Sequence, residues 1–184
     1  MAQKPSETFI RPAELWHDLG LKAGQTVVHL GSGPGFFLIP AAKLVGKTGM
    51  VIGVDIFAAL LQDLEANVKR EDSQAVIKTI RADIESPEGS TLPADSADWV
   101  LVANILHQSD PLKVITEARR LVKSDGFIAI IAWLRSATPL GPPLEDRISK
   151  QDILKITEQL HLHLDREFSP SPYHFGLLLT RLSS

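Results

Sequence analysis

Apolar residues in this chain gather in short unbroken runs, with longer stretches of helical repeat between them. Residues 26–30 (TVVHL), 50–54 (MVIGV), 75–80, 99–103 (WVLVA) and 127–133 are rich in β-branched residues and bounded by turn-formers, so they read as buried strands. Between the first two, residues 36–45 are apolar and of helical length, with Pro40 tolerable only in a first turn. Leu60, Leu61, Leu64 and Val68 recur at helical spacing after the second run. Val114, Ile115, Ala118, Leu121 and Val122 form another stripe, announced by Asp110 as N-cap and Pro111 at the first helical position. Strand alternating with helix is the pattern of a parallel sheet covered on both faces.

The remaining segments refine that outline. Residues 86–98 are dense in Pro, Gly, Ser and Asp and read as a connection with little helix, while residues 135–147, with three prolines and a glycine, read as an irregular loop. Ser149 with Asp152 resembles a capping box, and Ile153, Ile156 and Leu160 turn the helix that follows inward. Residues 162–168 and 174–182 alternate and lie close in sequence, which predicts a terminal antiparallel hairpin.

Composition bounds the assembly. A chain of 184 residues with 44% hydrophobic content suits one α/β domain, taken here as 1–184 with residues 1–10 as a flexible arm. The formal charge of −3, from 19 basic and 22 acidic side chains without long blocks, argues against a dominant phosphate-binding surface, so no nucleic-acid partner is expected. The chain has no cysteine, which removes disulfides and thiolate chemistry. The polar first residues lack the apolar centre of a signal peptide, and no run approaches the roughly 20 apolar residues of a membrane span. The expectation is a soluble, cytoplasmic protein, monomer or homodimer.

Candidate chemistry concentrates at Gly31-Ser32-Gly33-Pro34-Gly35, a turn leaving a strand and opening a helix. Glycines there let the backbone turn tightly and approach a ligand, and the helix start presents free N–H groups. Twenty residues past Gly35, Asp55 ends the second strand, where a carboxylate can accept both hydroxyls of a ribose. Asp83 ends the third in the same way, and Asn104 follows the fourth. A parallel sheet would open all four positions on one edge.

With these residues in place, the chain resembles the class I S-adenosylmethionine-dependent methyltransferases, within the small-molecule branch that includes ubiquinone and menaquinone biosynthesis enzymes. The resemblance spans residues 10–182 and rests on VVHLGSGPGFF, on GVD at 53–55, RAD at 81–83, WVLVANILHQSDP at 99–111 and RRLVKSDGFIAI at 119–130. It implies a Rossmann-like, doubly wound, seven-stranded and mostly parallel sheet with an antiparallel C-terminal strand and helices on both faces. It implies S-adenosylmethionine as cofactor, a small-molecule acceptor, and in-line displacement of the methyl group. The turn, with His29, Gly31, Ser32, Gly33, Gly35 and Phe36, would cradle the methionine part. Asp55 with Ile56 would hold the ribose, Asp83 would receive the adenine amino group with Ile84 alongside, and Asn104 would sit near the methionine end.

The family usually has an acid two residues before the first glycine, and this chain has His29. A neutral imidazole offers only one accepting nitrogen, so His29→Asp is expected to tighten cofactor binding. The substitution also keeps open a methyltransferase-fold binding module acting through a partner. A dinucleotide fingerprint would need glycine where Phe36 stands, and Gly46-Lys47-Thr48 lacks the first glycine of a phosphate-binding loop. His107, in the loop after the fourth strand, is a candidate general base or a packing residue. His161 and His163 lack a clear third metal ligand. Phe9 and Trp16 read as a lid or as core. Tyr173, His174, Phe175 and the 135–147 loop read as a border of the acceptor pocket or as ordinary edge and turn chemistry.

Overall fold

A computed structural model describes residues 10–71, 75–136 and 140–182. Phe9, and with it most of the expected arm, lies outside these residues. Ile10, by contrast, is buried in the core.

In chain order the elements are α1 (Pro12–Leu19), β1 (Thr26–Leu30), α2 (Leu38–Val45), β2 (Met50–Asp55), α3 (Ala58–Arg70), β3 (Val76–Arg81), β4 (Ala97–Ala103), α4 (Pro111–Leu121), β5 (Val122–Trp133), α5 (Lys150–Gln159), β6 (Leu162–Ser171) and β7 (His174–Arg181). Among the described residues seven strands form one sheet in the order β3-β2-β1-β4-β5-β7-β6. The first five pair in parallel, while β7 runs antiparallel to both β5 and β6. This is the doubly wound class expected. None of the helices is long and apolar enough to cross a membrane among the described residues.

Period-two alternation sorts the strand side chains into two cores. Val27, Val51, Trp99, Leu101 and Ile131 face α1, α2 and α3, whereas Val28, Leu30, Val102, Ile128 and Ile130 face α4 and α5. The order reverses direction between β1 and β4, and in open sheets the crevice outside the strand ends at such a switch point receives ligands.

Several boundaries differ from the sequence reading. Helix α2 begins at Leu38, not 36, which leaves Phe36 and Phe37 in the turn and puts Pro40 in the first helical turn, where its missing N–H costs nothing. Strand β3 covers Val76–Arg81, one residue later than expected. Strand β5 begins at Val122, directly after α4: Val122 pairs with Ala97, the register breaks across the polar Lys123-Ser124-Asp125-Gly126, and the ladder resumes at Phe127 opposite Trp99. Helix α1 has no counterpart among the elements that the sequence pattern predicts. Pro12 stands in its first turn, Gly20 closes it with φ +90°, and Leu15, Trp16 and Leu19 make its buried face.

Trp16 is core and not lid. Fully buried, it meets Trp99 edge-on at 5.8 Å between ring centroids and donates its indole N–H to Phe37 O at 2.9 Å. It thereby supports the turn before α2 from beneath.

Candidate active site

The β1–α2 turn is tied to its surroundings on three sides. The N–H groups of Gly31 and Ser32 donate to Val54 O of β2 at 2.9 and 3.0 Å, Asn67 Nδ2 of α3 donates to Pro34 O at 3.0 Å, and Trp16 holds Phe37. Gly31, Gly33 and Gly35 have φ of +74°, +52° and +98°, left-handed conformations that glycine adopts without a Cβ penalty. A Cβ on Gly35 would lie 2.3 Å from Leu64 Cδ1, so glycine there lets α3 close on the turn, whereas one on Gly33 would meet open space.

Gly33 borders a crevice of about 540 Å³ at the switch point, a volume ordinary for a small-molecule or cofactor site. Gly31, Gly33, Asp55, Ile56, Asp83, Ile84 and Asn104 line it, together with Pro34, Phe57, Ile105 and Gln108, which the sequence reading did not single out. Asp55 is nearly buried, and its carboxylate accepts from Gly33 N at 2.9 Å through Oδ2 and from Phe57 N at 3.0 Å through Oδ1. A carboxylate has about four lone-pair sites, so one on each oxygen remains for a pair of ligand hydroxyls. Asp83 accepts from Glu85 N at 2.9 Å and from Ser86 Oγ at 3.1 Å, again with capacity left. Ile56 and Phe57, 51% and 65% exposed, offer an apolar rim beside these carboxylates.

Asn104 closes the crevice at its β4 end. It holds φ +54°, a conformation uncommon outside glycine, and its Oδ1 is buried with no protein partner among the described residues. A buried acceptor left open is costly unless something donates to it, and Asn104 is part of the crevice wall.

The other residues singled out sit off the crevice. His29, only 2% exposed, shares the face of Val27 on β1 and meets Phe37 edge-on at 5.6 Å. Neither ring nitrogen has a protein partner among the described residues, and burial pushes its pKa down to about 3, so it is neutral. Ser32 is buried over Gly53 of β2, while Phe36 packs edge-on against Phe37 at 5.1 Å.

Beyond Asn104 lies a second, much smaller cleft of about 10 Å³, lined by Asn104, Leu106, His107, Ala132, Trp133, Arg147 and Ile148. Burial holds the His107 imidazole below its ordinary pKa, with Asp146 pulling it up and Arg147 pushing it down. Arg147 is buried, its guanidinium 5.5 Å from the centre of the Trp133 ring, and it donates to Leu134 O, Ser136 O, Leu140 O and Pro142 O at 2.7–3.0 Å. One side chain thus gathers the described parts of the 135–147 loop, a role that the run of prolines did not announce. His174 packs on Trp133 at 4.1 Å, and a hydrogen bond of 2.7 Å joins its Nδ1 to Ser171 Oγ. Tyr173 does not line either space.

Comparison with known proteins agrees with this geometry. Residues 21–159 match the methyltransferase-domain family. The fold is similar to a S-adenosylmethionine-dependent methyltransferase of Aquifex aeolicus, with 27% identity, a TM-score of 0.85, and coverage of 96% of this chain and 93% of that one. It is similar also to a protein of Sulfolobus solfataricus assigned to the type 11 methyltransferases, with 30% identity, a TM-score of 0.75, and coverage of 96% and 95%. An arsenite methyltransferase of Halobacterium salinarum is 34% identical over 117 residues, 62% of this chain and 28% of that protein, so the chain spans under a third of this relative's length. The chain belongs to the class I methyltransferase-domain family, whose cofactor is S-adenosylmethionine.

Proposed function

We propose that this chain transfers a methyl group from S-adenosylmethionine to a small-molecule acceptor that arrives at the Asn104 end of the crevice, next to the small cleft that holds His107. The observation that carries the reading is Asp55, a carboxylate on the crevice wall pinned by the backbone amides of Gly33 and Phe57, one on each oxygen, with lone pairs left for ribose hydroxyls. Asp83 and Ile84 would take the adenine, the left-handed Gly33 would admit the amino-acid portion without a Cβ in the way, and Asn104 Oδ1 would receive its ammonium.

The cofactor supplies a methyl group on a sulfonium, which passes to a lone pair of the acceptor as the carbon–sulfur bond breaks. The protein's part is to hold the two reactants in line, and such positioning supplies much of the acceleration in methyl transfer. For an acceptor that carries a proton, His107 is the candidate to take it, because its depressed pKa keeps the imidazole neutral near pH 7. His107→Ala is expected to lower turnover roughly a hundredfold for such an acceptor, within the usual range for a general base. Unchanged turnover would leave His107 as packing. Arsenite is a poor candidate acceptor, since a soft centre of that kind is best held by thiolates and the chain has no cysteine.

The alternative of a fold retained only as a binding module drew its main support from His29. His29 is buried and does not line the crevice, which speaks against that argument. Isothermal titration with S-adenosylmethionine, S-adenosylhomocysteine and NADH tests the proposal. Micromolar binding of the first two and none of the third is expected; binding of neither sulfur nucleoside would return the weight to the module.

A further inference from the structure

Every sheet crossover up to β3 is packed by a helix, but the connection at residues 82–96, which leads from β3 to β4, contains none. It has no hydrogen-bond ladder of its own, yet it carries Asp83, Ile84 and Glu85 into the crevice wall. It also holds three non-glycine residues in the left-handed region: Glu88 at φ +53°, the β-branched Thr91 at +56° and Asp95 at +54°. Such conformations persist only where neighbours over-determine them.

The neighbour is α4. Glu117, 4% exposed, accepts from Ser90 Oγ at 2.5 Å and from Arg120 Nε and Nη2 at 2.7 and 2.8 Å. Arg120 also donates to Leu92 O at 2.8 Å and to Ser90 Oγ at 3.3 Å. Burial pushes the Glu117 carboxyl up, but the hydrogen bonds from Arg120 and Ser90 hold it below its ordinary range, so the pair is ionised. The cluster anchors a buried hydroxyl one residue from Gly89. Gly89 in turn lies against Asp83: a Cβ there would be 2.2 Å from Asp83 O, Gly89 N donates to Ser86 O at 2.9 Å, and Ser86 Oγ donates to the Asp83 carboxylate. A continuous path of fixed contacts therefore runs from the buried face of α4 to the carboxylate on the crevice wall.

We propose that Glu117, Arg120 and Ser90 are positioning residues for the nucleobase end of the crevice, acting through Gly89 and Ser86 on Asp83. None of the three lines the crevice. The proposal rests on the reading of that crevice as the S-adenosylmethionine site.

The test is calorimetric titration of S-adenosylhomocysteine and of adenosine into the wild type, Glu117→Gln, Ser90→Ala, Asp83→Ala and the Glu117→Gln/Asp83→Ala double variant, with the melting temperature of each. Glu117→Gln and the milder Ser90→Ala are expected to weaken both ligands by roughly five- to thirtyfold, the factor that corresponds to one or two lost hydrogen bonds. In the Asp83→Ala background the same change should have under about a twofold effect, because residues acting through one partner are not additive. Lowered melting temperature with unchanged affinity of the folded variants overturns the proposal, as does full additivity in the double variant. If the wild type binds S-adenosylhomocysteine but the variants bind it equally, only this proposal falls. If the wild type does not bind it, the functional reading falls and takes this one with it.

Discussion

Gly33 and Gly35 stand two positions apart in one turn, yet an added methyl group meets different surroundings at each. At Gly35 it would strike Leu64, which is fully buried, and hold an alanine at φ +98°; at Gly33, on the crevice wall, it would meet nothing within 4 Å, at φ +52°. Gly35→Ala is therefore expected to lower stability by roughly 1–3 kcal/mol, the usual cost of a strained backbone. Gly33→Ala should keep more of the stability while losing more of the affinity for S-adenosylhomocysteine. Melting curves and titrations of the two variants check the contrast, and a parallel loss of both properties would contradict it. His29 presents the opposite situation, since the sequence pattern makes an acid at that position look favourable. In the fold, an aspartate there would be a buried carboxyl beside Phe37, with no cation described next to it. His29→Asp is expected to cost about 3 kcal/mol through an unpaired buried charge, and a chemical denaturation midpoint equal to that of the wild type would count against this.

At the scale of elements, the signals that could be read were those with a local cause. Asp110 accepts from Leu112 N and Lys113 N at 3.0 and 3.4 Å, and Ser149 from Asp152 N at 3.1 Å, as the cap patterns predicted. Asp110→Ala should cost about 1 kcal/mol of stability, or about 2–4 °C in melting temperature for a chain of this size. It should leave S-adenosylhomocysteine affinity within about twofold, because the loss of one cap does not remove the Glu117 to Ser90 contacts. A large loss of affinity would mean that α4 moves as a unit. What escaped the sequence had a non-local cause. Helix α1 spans only Pro12–Leu19 and depends on Trp16 finding Trp99 and Phe37 O far along the chain. The early start of β5 depends on Val122 pairing with Ala97 across a register break that reads locally as a turn. The crevice carboxylates were legible because strand ends and glycine turns follow chain order. Arg147 and the Glu117 cluster were not, since nothing local distinguishes a buried charge from a solvated one.

For the molecule as a whole, buried neutral histidines make stability depend on pH in a defined direction. Burial lowers the pKa of His29 to about 3, and burial together with the Arg147 charge lowers that of His174 to about 4, against 6.5 for an ordinary histidine. Well above pH 6.5 both rings are neutral whether the chain is folded or not, and neither contributes to the pH dependence. As the pH falls below 6.5 the unfolded chain takes up protons that the folded chain refuses, so stability is lost progressively until the folded pKa values are reached. Between pH 7.5 and 5 the contribution of His29 amounts to about 2 kcal/mol, at about 1.4 kcal/mol for each pH unit below 6.5. The groups around His174 are the Ser171 hydroxyl, the Trp133 ring and Arg147, and its contribution has the same sign. Leucine can replace His29 without leaving a hydrogen bond unmade, because neither ring nitrogen has a protein partner among the described residues. Urea unfolding of the wild type and of His29→Leu at both pH values isolates the term. The drop in stability on acidification should be smaller in the variant by about 2 kcal/mol. Equal drops would mean that His29 already exchanges its proton in the folded state, and that the core beneath α2 admits water.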